Sequence, residues 1–175
     1  AMRNPRDPTN PHPMGQVPGL RDVQADGSTV ELFESGAILL YLADRYGGLD
    51  TPEQRAEVTR WVVWANATLD PVCFIETPEG RVVDTGARKK PNRVLDTLDQ
   101  LLEGQQFNNG DEFSVADVAI AAYLLYVPQF FPDVSWGKWR NISEYMLRCA
   151  SRPAYAEAFG KQVTLSAKSV QNISC

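Results

Sequence analysis

Five prolines, Pro5, Pro8, Pro11, Pro13 and Pro18, fall within the first eighteen residues. Each removes a backbone donor and drives the residue before it away from helical geometry. This stretch is therefore expected to run as an extended or irregular arm. A strand–helix–strand unit needs roughly 30 residues or more, and none fits ahead of Asn10. Regular structure is expected only after Pro18. There the β-prone stretches Gly19 to Val23 and Thr29 to Phe33 flank the turn signal Ala25-Asp26-Gly27-Ser28, which reads as a hairpin.

From Glu34 the periodicity becomes helical. Ala37, Ile38, Tyr41 and Leu42 share a face, and Gly47-Gly48 stops the run. Thr51-Pro52-Glu53 supplies an N-cap, a first-turn proline and an acidic residue. The helix it opens should pass through Val58, Trp61, Val62, Ala65 and Leu69, with Pro71 kinking or ending it. Residues 77 to 91 are expected to form a polar loop, followed by a helix from about Pro91 to Leu102. Ser114 and Asp117 have the spacing of a capping box ahead of the nearly all-apolar run Val118 to Val127, the pattern of a buried central helix. Asn141 to Cys149 and Pro153 to Phe159 read as further helices, and Thr164 to Cys175 as a loose tail.

Composition narrows the function classes. A net charge of −5, with Arg88-Lys89-Lys90 as the one basic cluster, argues against a nucleic-acid surface and leaves that cluster as a solvated loop. Three cysteines, Cys73, Cys149 and Cys175, form neither a metal spacing nor an even-numbered framework, so no metal is expected and a reducing, cytoplasmic setting is the default. No window approaches the roughly 18 apolar residues of a membrane span. Cys73 and Cys149 are expected to be packed thiols. Tyr41 and Tyr46 are expected in the core, His12 in solvent, and Trp136 and Trp139 on a surface helix.

The segments Asn10-Pro11, Gly15-Gln16-Val17-Pro18 and Glu34-Ser35-Gly36-Ala37-Ile38, with the Ser114/Asp117 box downstream, resemble the glutathione transferase family. The resemblance spans Asn10 to Phe159. It implies an α+β, mostly helical fold: a truncated thioredoxin-like part (β-hairpin plus helix) followed by an all-α C-terminal domain. The expected boundaries are 1–47 and 51–160, with 161–175 as a tail. Glutathione is the implied ligand, held by Gln16, Val17, Pro18, Glu34 and Ser35. An extended ligand can pair with the exposed backbone beside a cis-proline, and a helix N-terminus attracts carboxylates. Glu34 would accept from the γ-glutamyl ammonium.

The family places its activating Tyr, Ser or Cys in the strand–helix–strand segment that the arm cannot contain. The catalytic residue is accordingly unassigned, and conjugating activity is expected to be weak or lost. The alternative is a non-catalytic scaffold or dimerisation module. The resemblance also implies a homodimer or larger assembly. A hydrophobic acceptor pocket would be lined by Trp61, Trp64, Tyr123 and Tyr126, against the blander reading that these aromatics are core.

Overall fold

The computed structural model describes residues 7–47, 49–131 and 136–168, with side chains as far as residue 160. Strands β1 (Gly19–Val23) and β2 (Thr29–Phe33) form an antiparallel hairpin in the register Gly19↔Phe33 to Val23↔Thr29. Gly27 takes φ 83° in the turn, and Asp26 accepts from the Ser28 amide and hydroxyl. Strand alternation turns Leu20, Asp22, Val30 and Leu32 to the more covered face, while Arg21 pairs across the strands with Glu31 at 2.6 Å in the open.

Helix α1 (Ser35–Tyr46) packs on this hairpin. The hydroxyls of Tyr41 and Tyr46 both donate to Asp22 Oδ2, at 2.7 and 2.9 Å, which holds that carboxyl below its ordinary pKa. The two tyrosines thus tie α1 to β1 rather than filling the core, and Tyr46 is 65% exposed.

Thr51 opens helix α2 (Pro52–Trp64) with a full capping box to Gln54. Pro71 does not break the chain's helical course. The helix passes through a π-helical turn at Ala65–Leu69 into the short α3 (Asp70–Cys73). A proline ring collides with the carbonyl four residues earlier, and the wider π turn relieves that collision without ending the helix.

Residues 77 to 91 are more ordered than a loop. Strands β3 (Phe74–Glu76) and β4 (Val82–Asp84) make a second antiparallel hairpin, closed by a turn with Gly80 at φ 78°. Arg88, in the 3-10 turn Ala87–Lys89 that follows, is buried; it pairs with Asp84 and lies 5.3 Å over the Trp136 ring. The expected solvated basic cluster therefore has its first cation inside the protein.

Helix α4 (Arg93–Leu101) is capped by Asn92, which accepts from the amides of Val94 and Leu95. Helices α5 (Val115–Phe130), α6 (Arg140–Ala150) and α7 (Pro153–Lys168) complete the bundle. The last bends at Gly160 (φ 81°) and continues through residue 168, where a loose tail was expected; residues 169–175 lie outside the described residues.

The core is centred on α5, with Ile120, Leu124 and Leu125 packed among Val62, Leu69, Leu95, Leu98, Ile142 and Met146. Trp136 and Trp139 belong to this core, 1% and 2% exposed, rather than to a surface helix. Trp139 Nε1 donates to Asp96 at 2.8 Å, which explains how an indole can be buried there without loss. The fold is thus α+β and mostly helical, a hairpin and helix of thioredoxin-like character leading into a helical bundle that carries the short β3–β4 hairpin. Among the described residues no helix is long and apolar enough to cross a membrane.

Candidate functional site

The hairpin register builds the site. Gly19, the first residue of β1, pairs with Phe33, the last of β2, so the residues just before Gly19 lie beside those just after Phe33. That places the cis peptide Val17–Pro18 next to Glu34 and Ser35 at the start of α1. Val17, Pro18, Glu34 and Ser35 are in this way brought to one helix N-terminus, and Gln16 precedes them in the arm, its carbonyl held by Asn10.

The arm is shaped to present its end of the cradle. Asn10 Nδ2 donates to the Gln16 carbonyl at 2.8 Å, and its Oδ1 accepts from the His12 amide at 3.0 Å. A Cβ on Gly19 would sit 2.7 Å from that same Oδ1, so the position has no room for a side chain. His12 is not solvated. It is 7% exposed, its Nδ1 accepts from the Met14 amide at 3.1 Å, and its ring lies 5.0 Å from that of Phe33. These bonds make it a structural part of the loop.

On the other side of the cradle, Glu34 occupies the N-cap position with φ 69° and makes no side-chain cap. A non-glycine residue at such a φ costs about 1–3 kcal/mol and marks a place where surrounding structure imposes the backbone. Glu34 is exposed, and its carboxylate makes no hydrogen bond or ion pair among the described residues. The first-turn amides of α1 are likewise free of a side-chain cap and supply the donors and positive dipole end that suit a carboxylate.

The helical bundle closes on this turn from behind. Gly36 is buried, and a Cβ there would meet Asn66 Nδ2 at 2.8 Å and Val62 Cγ1 at 3.1 Å. Asn66 Oδ1 accepts in turn from the Tyr123 hydroxyl at 3.1 Å. In an open helix Gly→Ala gains up to about 1 kcal/mol. Here Gly36→Ala is expected to cost roughly 1–3 kcal/mol through overpacking, read as a lowered urea midpoint. A gain in stability would show the contact to be slack.

Of the aromatic residues expected to line one acceptor pocket, the structure separates two pairs. Trp61 and Trp64, edge to face at 5.4 Å, border a depression of about 630 Å³ against α4, with Arg60, Arg93, Thr97 and Leu101 around it. Neither tyrosine lines that depression. Tyr123 reaches Asn66 behind α1, and the Tyr126 ring lies 6.1 Å from Phe130 and 6.2 Å from Phe159. Helical spacing put all four residues on inward-leaning faces but said nothing of which neighbour each face meets.

Neither described cysteine is poised to act as a nucleophile. Burial pushes the thiols of Cys73 and Cys149 up to about 12. Among the described residues no cluster of three or more His, Cys, Asp or Glu is placed to hold a metal. Ser114 and Asp117 form a reciprocal capping box, and Asp117 is fully buried. Asn66 is the site residue that sequence reasoning did not single out. Its signal was present as an amide on the otherwise apolar stripe through Val62 and Leu69.

Comparison with known proteins identifies the family. Residues 64–153 match the model of the glutathione S-transferase C-terminal domain. The glutathione S-transferase GstB of Escherichia coli is 33% identical over 157 residues, covering 82% of this chain and 73% of the relative. A glutathione transferase structure from Burkholderia graminis, with two glutathione molecules bound per subunit, superposes with a TM-score of 0.68 at 28% identity, over 84% of this chain and 68% of that one. Human elongation factor 1-gamma is 26% identical over 167 residues, covering 91% of this chain but 37% of the relative. The chain belongs to the glutathione S-transferase family.

Proposed function

We propose that this chain binds glutathione in the cradle between the Val17–Pro18 peptide and the first turn of α1. The observation that carries the reading is the hairpin register, which sets that cis peptide beside Glu34 and Ser35. The cysteinyl main chain pairs with Val17. The γ-glutamyl carboxylate accepts from the first-turn amides of α1 and the Ser35 hydroxyl, and its ammonium donates to Glu34. Gln16 borders the same strip of ligand. A glutathione-bound relative of the same fold supports the choice of tripeptide.

Conjugation of the thiol to an electrophile is proposed to be weak in the chain as it stands. An activator must place a donor or base at the sulfur. The described candidates are engaged elsewhere: Tyr41 and Tyr46 serve Asp22, and Cys73 and Cys149 are buried. We place the working unit in a reducing compartment as a homodimer, with a thioredoxin-like portion up to residue 47 and a helical domain from residue 51 that takes in α7 to residue 168.

Calorimetric titration with reduced glutathione tests the binding. Binding in the micromolar to millimolar range is expected, weakened about tenfold or more by Glu34→Ala, since tenfold corresponds to about 1.4 kcal/mol and a charge-assisted contact is worth that much. Binding that Glu34→Ala leaves untouched would remove the cradle as the site. A second reading, an assembly module without turnover, is favoured by the match to elongation factor 1-gamma over 37% of that protein's length. It predicts a stable oligomer and no heat on titration.

A further inference from the structure

The contact between Asn66 and the first turn of α1 joins the ligand cradle to the helical bundle. Asn66 sits on the π-helical turn Ala65–Leu69, and such turns rotate a side chain out of α register, often at functional positions. Its amide nitrogen comes to 2.8 Å of the Cβ position of Gly36, so the absence of a side chain there is what allows the approach. Its amide oxygen is held by the Tyr123 hydroxyl from α5 at 3.1 Å. Tyr123 also neighbours Ser35, and burial pushes its own hydroxyl up to about 12, so it remains a proton donor at neutral pH. Two helical segments of the bundle therefore converge on Ser35 and Gly36.

The geometry points to Asn66 and Tyr123 as positioning residues that fix the Ser35–Gly36 turn for the α-carboxylate of the γ-glutamyl group. The inference rests on the glutathione reading above. A pair that merely satisfied its own polar atoms between helices would affect stability alone. A positioning pair affects one ligand group selectively, and acts through Ser35.

The test compares glutathione with 4-aminobutyryl-cysteinylglycine, the same tripeptide without the γ-glutamyl α-carboxylate, each titrated into the full chain by calorimetry. The unaltered protein should prefer glutathione. Tyr123→Phe, which removes one oxygen, should weaken glutathione about five- to tenfold while leaving the analogue unchanged. In a Ser35→Ala background the same substitution should change glutathione affinity less than about twofold, the signature of coupled residues in a double-mutant cycle. Asn66→Ala should follow Tyr123→Phe, with thermal melts of both variants showing that the bundle is intact.

Equal weakening of both tripeptides, or an undiminished effect of Tyr123→Phe without Ser35, would overturn the positioning role while leaving the cradle in place. An unaltered protein that binds neither tripeptide, or binds both equally, would overturn the cradle itself and this inference with it. Should Asn66→Ala fail to fold, Tyr123→Phe alone decides.

Discussion

Asp117→Ala should cost the protein about 3–5 kcal/mol, the range seen when a buried hydrogen-bonded charge is lost and its donors are left unpaired. Asp117 is fully buried. Its carboxylate accepts from the Ser114 amide at 2.8 Å, the Asn108 amide at 2.7 Å and the Tyr145 hydroxyl at 2.9 Å. Three segments thus share one acceptor: the cap of α5, the turn before it, and α6. Ala would strand these donors in a site that water does not reach. Asp117→Asn keeps the volume but turns an amide group toward donors, so it should recover only part of the loss. Ser114→Ala removes the hydroxyl that accepts from the Ala116 amide and donates to Asp117, and should cost about 1 kcal/mol. Urea unfolding checks the series through the midpoint at unchanged slope, and at roughly 2–4 °C per kcal/mol for a chain of this size Asp117→Ala should lower Tm by about 10 °C. Equal losses for Ser114→Ala and Asp117→Ala would mean that Asp117 acts only as a cap.

The features legible in the sequence are those set by local chemistry. The hairpin at Gly19–Val23 and Thr29–Phe33 follows from a turn that needs Asp26 and Gly27 between two β-prone stretches. The starts of α2 and α5 follow from Thr51 and Ser114, whose side chains bond within three residues of themselves. Burial of residues with a polar tip was not legible, because it depends on partners far along the chain. Trp139 is buried by virtue of Asp96, Arg88 by virtue of Trp136 as well as Asp84, and His12 by the face of Phe33. The β3–β4 hairpin was hidden by strand length, since three residues show no period. Of the proposed cradle, Val17, Glu34 and Ser35 could be named from the sequence because a helix start and a cis-proline loop are local devices. Asn66 was not, because its importance comes from the missing side chain of Gly36, thirty residues away.

Cys73 and Cys149 should react with iodoacetamide about a thousandfold more slowly in the folded protein than in the unfolded chain at pH 8, since only the thiolate attacks. The size follows from the displacement of each thiol from 9.0 to about 12, caused chiefly by burial in apolar surroundings. Arg88 opposes the shift at Cys73, and Arg148 and Arg152 oppose it at Cys149, but burial dominates in both. The same displacement makes stability depend on pH. With the folded value above the unfolded one, the contribution is complete below about pH 9, where both states keep the proton. Between about 9 and 12 the unfolded chain loses a proton that the folded protein retains, and stability falls by up to about 1.4 kcal/mol per pH unit for each cysteine. Peptide mapping after timed alkylation, native against urea-unfolded, measures the first effect, and urea midpoints from pH 8 to 11 measure the second. Rapid native labelling of Cys73 with cooperative unfolding intact would show a thiol within reach of solvent and reopen it as a nucleophile. Slow labelling of both sites excludes them as thiol-based catalysts, so any conjugation the chain performs must depend on a donor outside these two residues.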